Sequence, residues 1–137
     1  ANGDACVALG WSGDILQARD RAEEANNGIE VGYRIPKEGA QVWFDQMAIP
    51  TDAKNVEEAH EFLNYLLRPE VIAKASNYIN YANGNKSSQK FLDKSVLEDE
   101  AIYPNDATMK QLFSHTADGA KYTRNLNRTW TRIKTGQ

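Results

Sequence analysis

A chain of 137 residues suffices for one domain with a sizeable core, and 41% hydrophobic with 26% charged residues is the make-up of a soluble globular protein. A net charge of −3 and a pI near 5.4 supply no basic field, which argues against nucleic acid as a partner. Cys6, the single cysteine, allows neither an internal disulfide nor a thiolate zinc site, and no apolar run approaches the roughly 20 residues that a bilayer span requires.

Ala1-Asn2-Gly3-Asp4 reads as a turn running directly into a strand, so the chain is expected to begin inside a domain rather than at a targeting segment. Residues 5–10 form a continuous small-apolar run, predicting a buried strand of a parallel sheet with Cys6 as a small core residue. Trp11-Ser12-Gly13-Asp14 is then the turn into a helix over 15–26, with Ile15, Leu16, Ala18, Ala22 and Ala25 as its apolar members. Asn27-Gly28 stops that helix. Ligands of open α/β sheets collect at the carboxyl ends of strands, which is where Trp11 and Asp14 fall.

Ile29, Val31, Tyr33 and Ile35 alternate with more polar neighbours, as in a half-buried strand, and Pro36-Lys37-Glu38-Gly39 makes the next turn. A further strand is predicted over 42–49, with Trp43, Asp45 and Met47 on one face and Phe44, Gln46 and Ala48 on the other. A lone carboxylate is costly to bury, so the face that pairs it with Trp43 is expected to line a cleft.

Asn55 and Glu58 suggest a capping box opening a helix with Val56, Ala59, Phe62, Leu63 and Leu66 at helical spacing. Arg68-Pro69 ends it, and Pro69 can open the next helix, which carries Val71, Ile72, Ala75 and Tyr78. Residues 81–85 are rich in turn formers. Beyond Gln89 the helical pieces are scattered. One includes Met109, Leu112 and Phe113, and the last carries Leu126, Trp130 and Ile133 at i, i+4 and i+7. Arg124, Arg128, Arg132 and Lys134 then decorate a solvated face of that last helix. The fold class implied is α/β.

Two short motifs carry the chemistry: Gly10-Trp11-Ser12-Gly13-Asp14 and Trp43-Phe44-Asp45 each set an aromatic ring two or three residues from a carboxylate. That pairing suits an organic cation with an apolar body. The carboxylate takes an ammonium group by a charge-assisted hydrogen bond, and the indole face attracts the cation while covering adjacent methylenes. Each motif also fits a core tryptophan beside a capping carboxylate. No phosphate loop or dinucleotide fingerprint is present, and Ser12 lacks the second glycine of a nucleophile elbow because Asp14 stands there. His60 and His115 are far apart with no metal-binding spacing, so no metal and no cofactor are expected.

The ordered set of motifs resembles the periplasmic polyamine-binding proteins, the solute receptors of putrescine and spermidine ABC importers. The resemblance begins with Asn2-Gly3-Asp4-Ala5-Cys6-Val7-Ala8, the Gly10–Asp14 motif and Ile35-Pro36-Lys37-Glu38-Gly39-Ala40. It continues through Trp43-Phe44-Asp45, Met47-Ala48-Ile49-Pro50, Phe62-Leu63-Asn64-Tyr65-Leu66-Leu67-Arg68-Pro69, Tyr81-Ala82-Asn83 and the tail from Arg128 to Gly136. It implies a two-lobed type II clamshell that closes on its ligand, of which this chain looks like the C-terminal half. Residues 1–39 would end one lobe, and 40–137 would supply a hinge-crossing strand and the C-terminal part of the other.

The resemblance also implies ligand contacts at Trp11, Asp14, Trp43, Asp45 and Tyr81, with His115 at a position that closes one end of the pocket in some relatives. Position 43 tends to be Phe in putrescine receptors and Trp in spermidine receptors, so Trp43 leans toward spermidine. The function implied is non-enzymatic: a periplasmic receptor that captures a polyamine and hands it to an inner-membrane permease. Half a clamshell would expose faces that its other half covers, so either a dimer with exchanged elements or a chain that covers only part of its parent is expected. The alternatives are a receptor of the same fold for another solute and an α/β hydrolase fragment using Ser12. Anionic solutes would call for Arg and helix N-termini where the motifs carry carboxylates.

Overall fold

The computed structural model describes residues 4–136, and the regular structure among them is helical. α1 spans Ser12–Ala25, α2 Val56–Leu66, α3 Pro69–Ile79, α4 Lys94–Leu97, α5 Asp106–Met109 and α6 Ala120–Thr135, with a 3₁₀ turn over Lys86–Phe91 between α3 and α4. The first three residues of the turn expected at 1–4 lie outside the described residues, as does Gln137.

α1 begins earlier than its apolar spacing suggests, because the Trp11–Asp14 stretch is its first turn rather than a loop ahead of it. Trp11 is the extended N-cap residue, and Asp14 in the first turn complements the positive end of the helix dipole. Asn26 ends the helix in the left-handed conformation, donating its N–H to the Glu23 carbonyl, a conformation asparagine tolerates better than most residues. The buried face of α1 is Gly13, Leu16 and Ala22.

Leu16, Val96 and Ile102 form the core, with Tyr33, Leu92, Ala101 and Tyr103 packed against them. Residues from both sides of the expected boundary at 39/40 contribute to it. Polar ties reinforce this packing. Gln17 Nε2 donates to the Ile79 carbonyl at 3.2 Å, and Asn80 Nδ2 donates to Asp20 at 2.9 Å. Arg19 reaches Asp99 at 3.3 Å. Burial opposes the charge on Arg19, but its hydrogen bonds to Asp99 and Asp20 outweigh that and leave its pKa raised.

Pro69 occupies the first position of α3 as expected, since its missing N–H is one that a helix start leaves unpaired anyway. α3 buries Ala73 and Ser76 rather than Tyr78, which is exposed. Asn55 stands at the N-cap of α2, but its side chain accepts no capping bond, so the capping box does not form. α2 and α6 bury no residue at all. α6 is amphipathic as its spacing predicts, yet Leu126, Trp130 and Ile133 face solvent. The helix expected to include Leu112 and Phe113 stops at Met109.

The three expected strands form no ladder among the described residues. Residues 5–10 are exposed throughout, Cys6 included, which corrects the reading of a buried strand with a core cysteine. From Ile29 to Ile35 burial alternates as the sequence does, with Ile29, Val31, Tyr33 and Ile35 half-buried and the residues between them exposed. The segment at 42–49 touches ladder geometry only at its start, where Gln41 makes an isolated parallel bridge with Phe113. Phe113 N–H donates to the Ala40 carbonyl at 3.1 Å and Val42 N–H donates to the Phe113 carbonyl at 2.9 Å. Gly39, at φ 94°, admits this approach because a Cβ there would strike the Gln111 carbonyl.

A strand needs a neighbour about 4.8 Å away to take up its backbone N–H and C=O groups, and among the described residues none lies beside 5–10 or 43–49. The accessible surface is accordingly 11572 Å², against about 7,000 Å² for a compact monomer of this mass.

Candidate functional site

The amino-terminal end of α1 gathers residues from three distant segments. Gly13, in the first turn, is buried under the ring of Tyr81, and any Cβ at position 13 would overlap ring carbons. Tyr81 reaches that place because Asn80, the left-handed cap of α3 (φ 56°), turns the chain back toward α1. Burial raises the pKa of the Tyr81 hydroxyl, and the charges of Asp14 and then Asp45 add to the rise. The backbone N–H groups of Asp14 and Gly13 face the same oxygen and oppose it. The phenol thus stands within electrostatic range of both carboxylates, with its ring over Gly13.

Trp11 and Trp43 meet edge to face beside this cluster, with ring centroids 5.6 Å apart and planes at 63°. Trp43 thus reaches Trp11, and Asp45 lies within electrostatic range of Tyr81. Trp11, Asp14, Trp43 and Asp45 are exposed and Tyr81 is half-buried, which leaves ring faces and carboxylate oxygens accessible. Among the described residues neither Asp14 nor Asp45 forms an ion pair; the pairs present join Arg19 to Asp20 and Asp99, Lys37 to Glu38, and His115 to Asp118. Two uncompensated carboxylates between aromatic rings make a surface that attracts an organic cation.

All five residues expected to touch ligand are thus brought together. His115 sits further along, its Nε2 3.0 Å from Asp118 Oδ2, and with Trp43, Gln46 and Ser114 it lines an open groove of about 280 Å³. Ser12 is the first residue of α1, and no histidine bonds to it among the described residues. Nor do three His, Cys, Asp or Glu side chains converge as a metal site among the residues described. No described helix is long and apolar enough to cross a membrane.

The sequence did not single out Asn80 or Asp118, nor the close approach at Gly13. Gly13 reads as an ordinary turn glycine, and its need for close approach arises only from Tyr81, 68 positions away by number. The spacing of His115 and Asp118, three apart, was the one local signal for that pair.

Comparison with known proteins fixes the class. The sequence model of the bacterial extracellular solute-binding proteins matches residues 1–111, and the chain belongs to that family. Among individual relatives, the putrescine-binding periplasmic protein PotF of Escherichia coli is 48% identical over 137 residues, covering 100% of this chain and 37% of that protein. SpuD of Pseudomonas aeruginosa, also a putrescine-binding periplasmic protein, is 45% identical with the same coverage. In structure, a protein of Listeria monocytogenes described as a candidate spermidine/putrescine ABC transporter superposes with a TM-score of 0.71 at 33% identity, covering 87% of this chain and 37% of that one. The fold is that of the α/β periplasmic-binding-protein clamshell, of which this chain is one part. It spans little more than a third of the length of these relatives.

Proposed function

We propose that the protein carrying this chain is the periplasmic receptor of an ABC importer, which captures a polyamine and delivers it to the membrane permease. Trp11, Asp14, Trp43, Asp45 and Tyr81 are its ligand-binding residues on this side of the cleft. The observation that carries this reading is the meeting of two ion-pair-free carboxylates with three aromatic rings at the head of α1. Asp14 and Asp45 take ammonium groups, and Trp11 and Trp43 cover the methylenes between them. Trp43, with its larger ring surface, favours spermidine over putrescine. The names of the relatives at 45% and 48% identity support a polyamine, and their periplasmic setting supports the compartment.

In the same reading, residues 40–137 supply a hinge-crossing strand and the C-terminal part of the other lobe, and the second half of the ligand shell comes from the other part of the clamshell. The test is calorimetry on the intact protein with spermidine and putrescine. Saturable binding of both, tighter for spermidine, is expected. Binding of neither, or undiminished binding in Asp45→Ala, overturns the assignment.

A further inference from the structure

Tyr81 opens a five-residue loop between α3 and the 3₁₀ turn, and the side chains on either side of it hold that loop in place. Ahead of it, Asn80 donates Nδ2 to Asp20 of α1 at 2.9 Å, and Gln17 caps the Ile79 carbonyl at 3.2 Å. Behind it, Asn83 is the hub. Its Nδ2 donates to Ser76 Oγ at 2.9 Å, and its Oδ1 accepts from Ser88 Oγ and from the Asn85 N–H, both at 2.9 Å. Its own N–H reaches the Tyr103 hydroxyl at 3.3 Å, which ties the loop to the residues around the core.

The two serines are 2% and 0% exposed, and no buried side-chain polar atom lacks a partner among the described residues. One amide thus joins α3 (Ser76), the 3₁₀ turn (Ser88) and the loop backbone (Asn85). Replacing it strands two buried hydroxyls, which would then reorganise the loop to find new partners.

The Asn85 bond is a local turn contact, whereas the bonds to Ser76 and Ser88 reach outside the loop. The position of Asn83, two residues after Tyr81, matters for what the ring must do. Tyr81 lies against a glycine with no Cβ, so where the ring sits over the head of α1 depends on where the loop holds it.

We propose that Asn83 is a positioning residue for ligand recognition: through the Ser76–Asn83–Ser88 network it fixes Tyr81 over Gly13, so that this wall of the cleft stands ready before ligand arrives. A preorganised ring spares the ligand the cost of ordering it and its loop. The inference rests on the polyamine reading of the site. The residue itself touches no ligand.

The test combines a structural and a binding readout on the intact protein. In the ligand-free protein, the nuclear Overhauser contact between the Tyr81 ring and the Gly13 α-protons should be strong, and Asn83→Ala should abolish it while other tertiary contacts persist. The same substitution should weaken spermidine binding about tenfold, the scale of re-ordering one aromatic side chain and its loop. It should have no further effect in a Tyr81→Ala background. Ser88→Ala, a milder break of the same network, should move both readouts in the same direction and serves if Asn83→Ala does not fold.

A Tyr81–Gly13 contact that persists in Asn83→Ala, or an equal loss of affinity in both backgrounds, overturns the inference. If Tyr81→Ala itself leaves spermidine affinity unchanged, the polyamine site is wrong instead, and the Overhauser contact alone still decides whether Asn83 holds the ring.

Discussion

Two regions of the chain behave differently. Around α1, α3 and the 81–85 loop, each motif finds a partner within the chain: Leu16 meets Val96 and Ile102, Asn80 meets Asp20, and Tyr81 covers Gly13. The segments 5–10 and 43–49, with α6, carry equally clear patterning but leave it open to solvent. Patterning therefore specifies which face a segment wishes to bury, whereas burial itself depends on a complementary surface. In this chain the site stands at the seam. Trp11 and Asp14 belong to the packed region, and Trp43 and Asp45 to the open one.

The largest effect that would sharpen this contrast is in the core. Leu16→Ala should destabilise the intact protein by about 2–5 kcal/mol, the range for a buried leucine leaving a cavity, as measured by denaturant unfolding. The comparison substitution Leu9→Ala in the isolated 137-residue chain should cost under about 0.5 kcal/mol, since surface changes rarely exceed that. Equal losses at the two positions would erase the distinction between the regions. Gly13→Ala comes next. It drives a methyl into the Tyr81 ring and should cost about 1–3 kcal/mol of stability, as overpacking does, with a loss of polyamine affinity beyond that of a distant substitution of equal cost.

Much of this was legible in the sequence, for identifiable reasons. α1 and α3 follow from apolar spacing and from Pro69 at a first helical position, whereas their left-handed caps, Asn26 and Asn80, were not singled out. The alternation from Ile29 to Ile35 also survives as alternating burial. The candidate site was readable because its ring–carboxylate pairs lie within short contiguous motifs. The ladder was not, because a strand's hydrogen bonds belong to its neighbour, and the burial of Cys6 failed with it. The contacts of Gly13 and Asn83 were not legible because each is made with a residue or network outside its own motif.

Smaller effects probe the seam itself. Burial and the charges of Asp14 and Asp45 raise the pKa of Tyr81, so its ionisation should begin later than that of the exposed tyrosines in an alkaline absorbance titration. The sign is that of a neutral group favoured by folding. Its contribution is complete below the ordinary tyrosine value of about 10 and is lost as pH climbs from there through the raised value. Tyr81→Phe should delete the latest phase; a titration with no late phase to delete would separate Tyr81 from the two carboxylates. Trp43→Phe should weaken spermidine binding a few-fold and putrescine binding less, a difference read by competition calorimetry.

The most direct measurement is a crystal structure of the intact protein with spermidine bound. Ligand nitrogens should lie about 2.7–2.9 Å from carboxylate oxygens of Asp14 and Asp45, with the methylenes against Trp11 and Trp43 and a terminus beside Tyr81. A ligand seated elsewhere, or those carboxylates turned away from it into contacts with protein, would contradict the account.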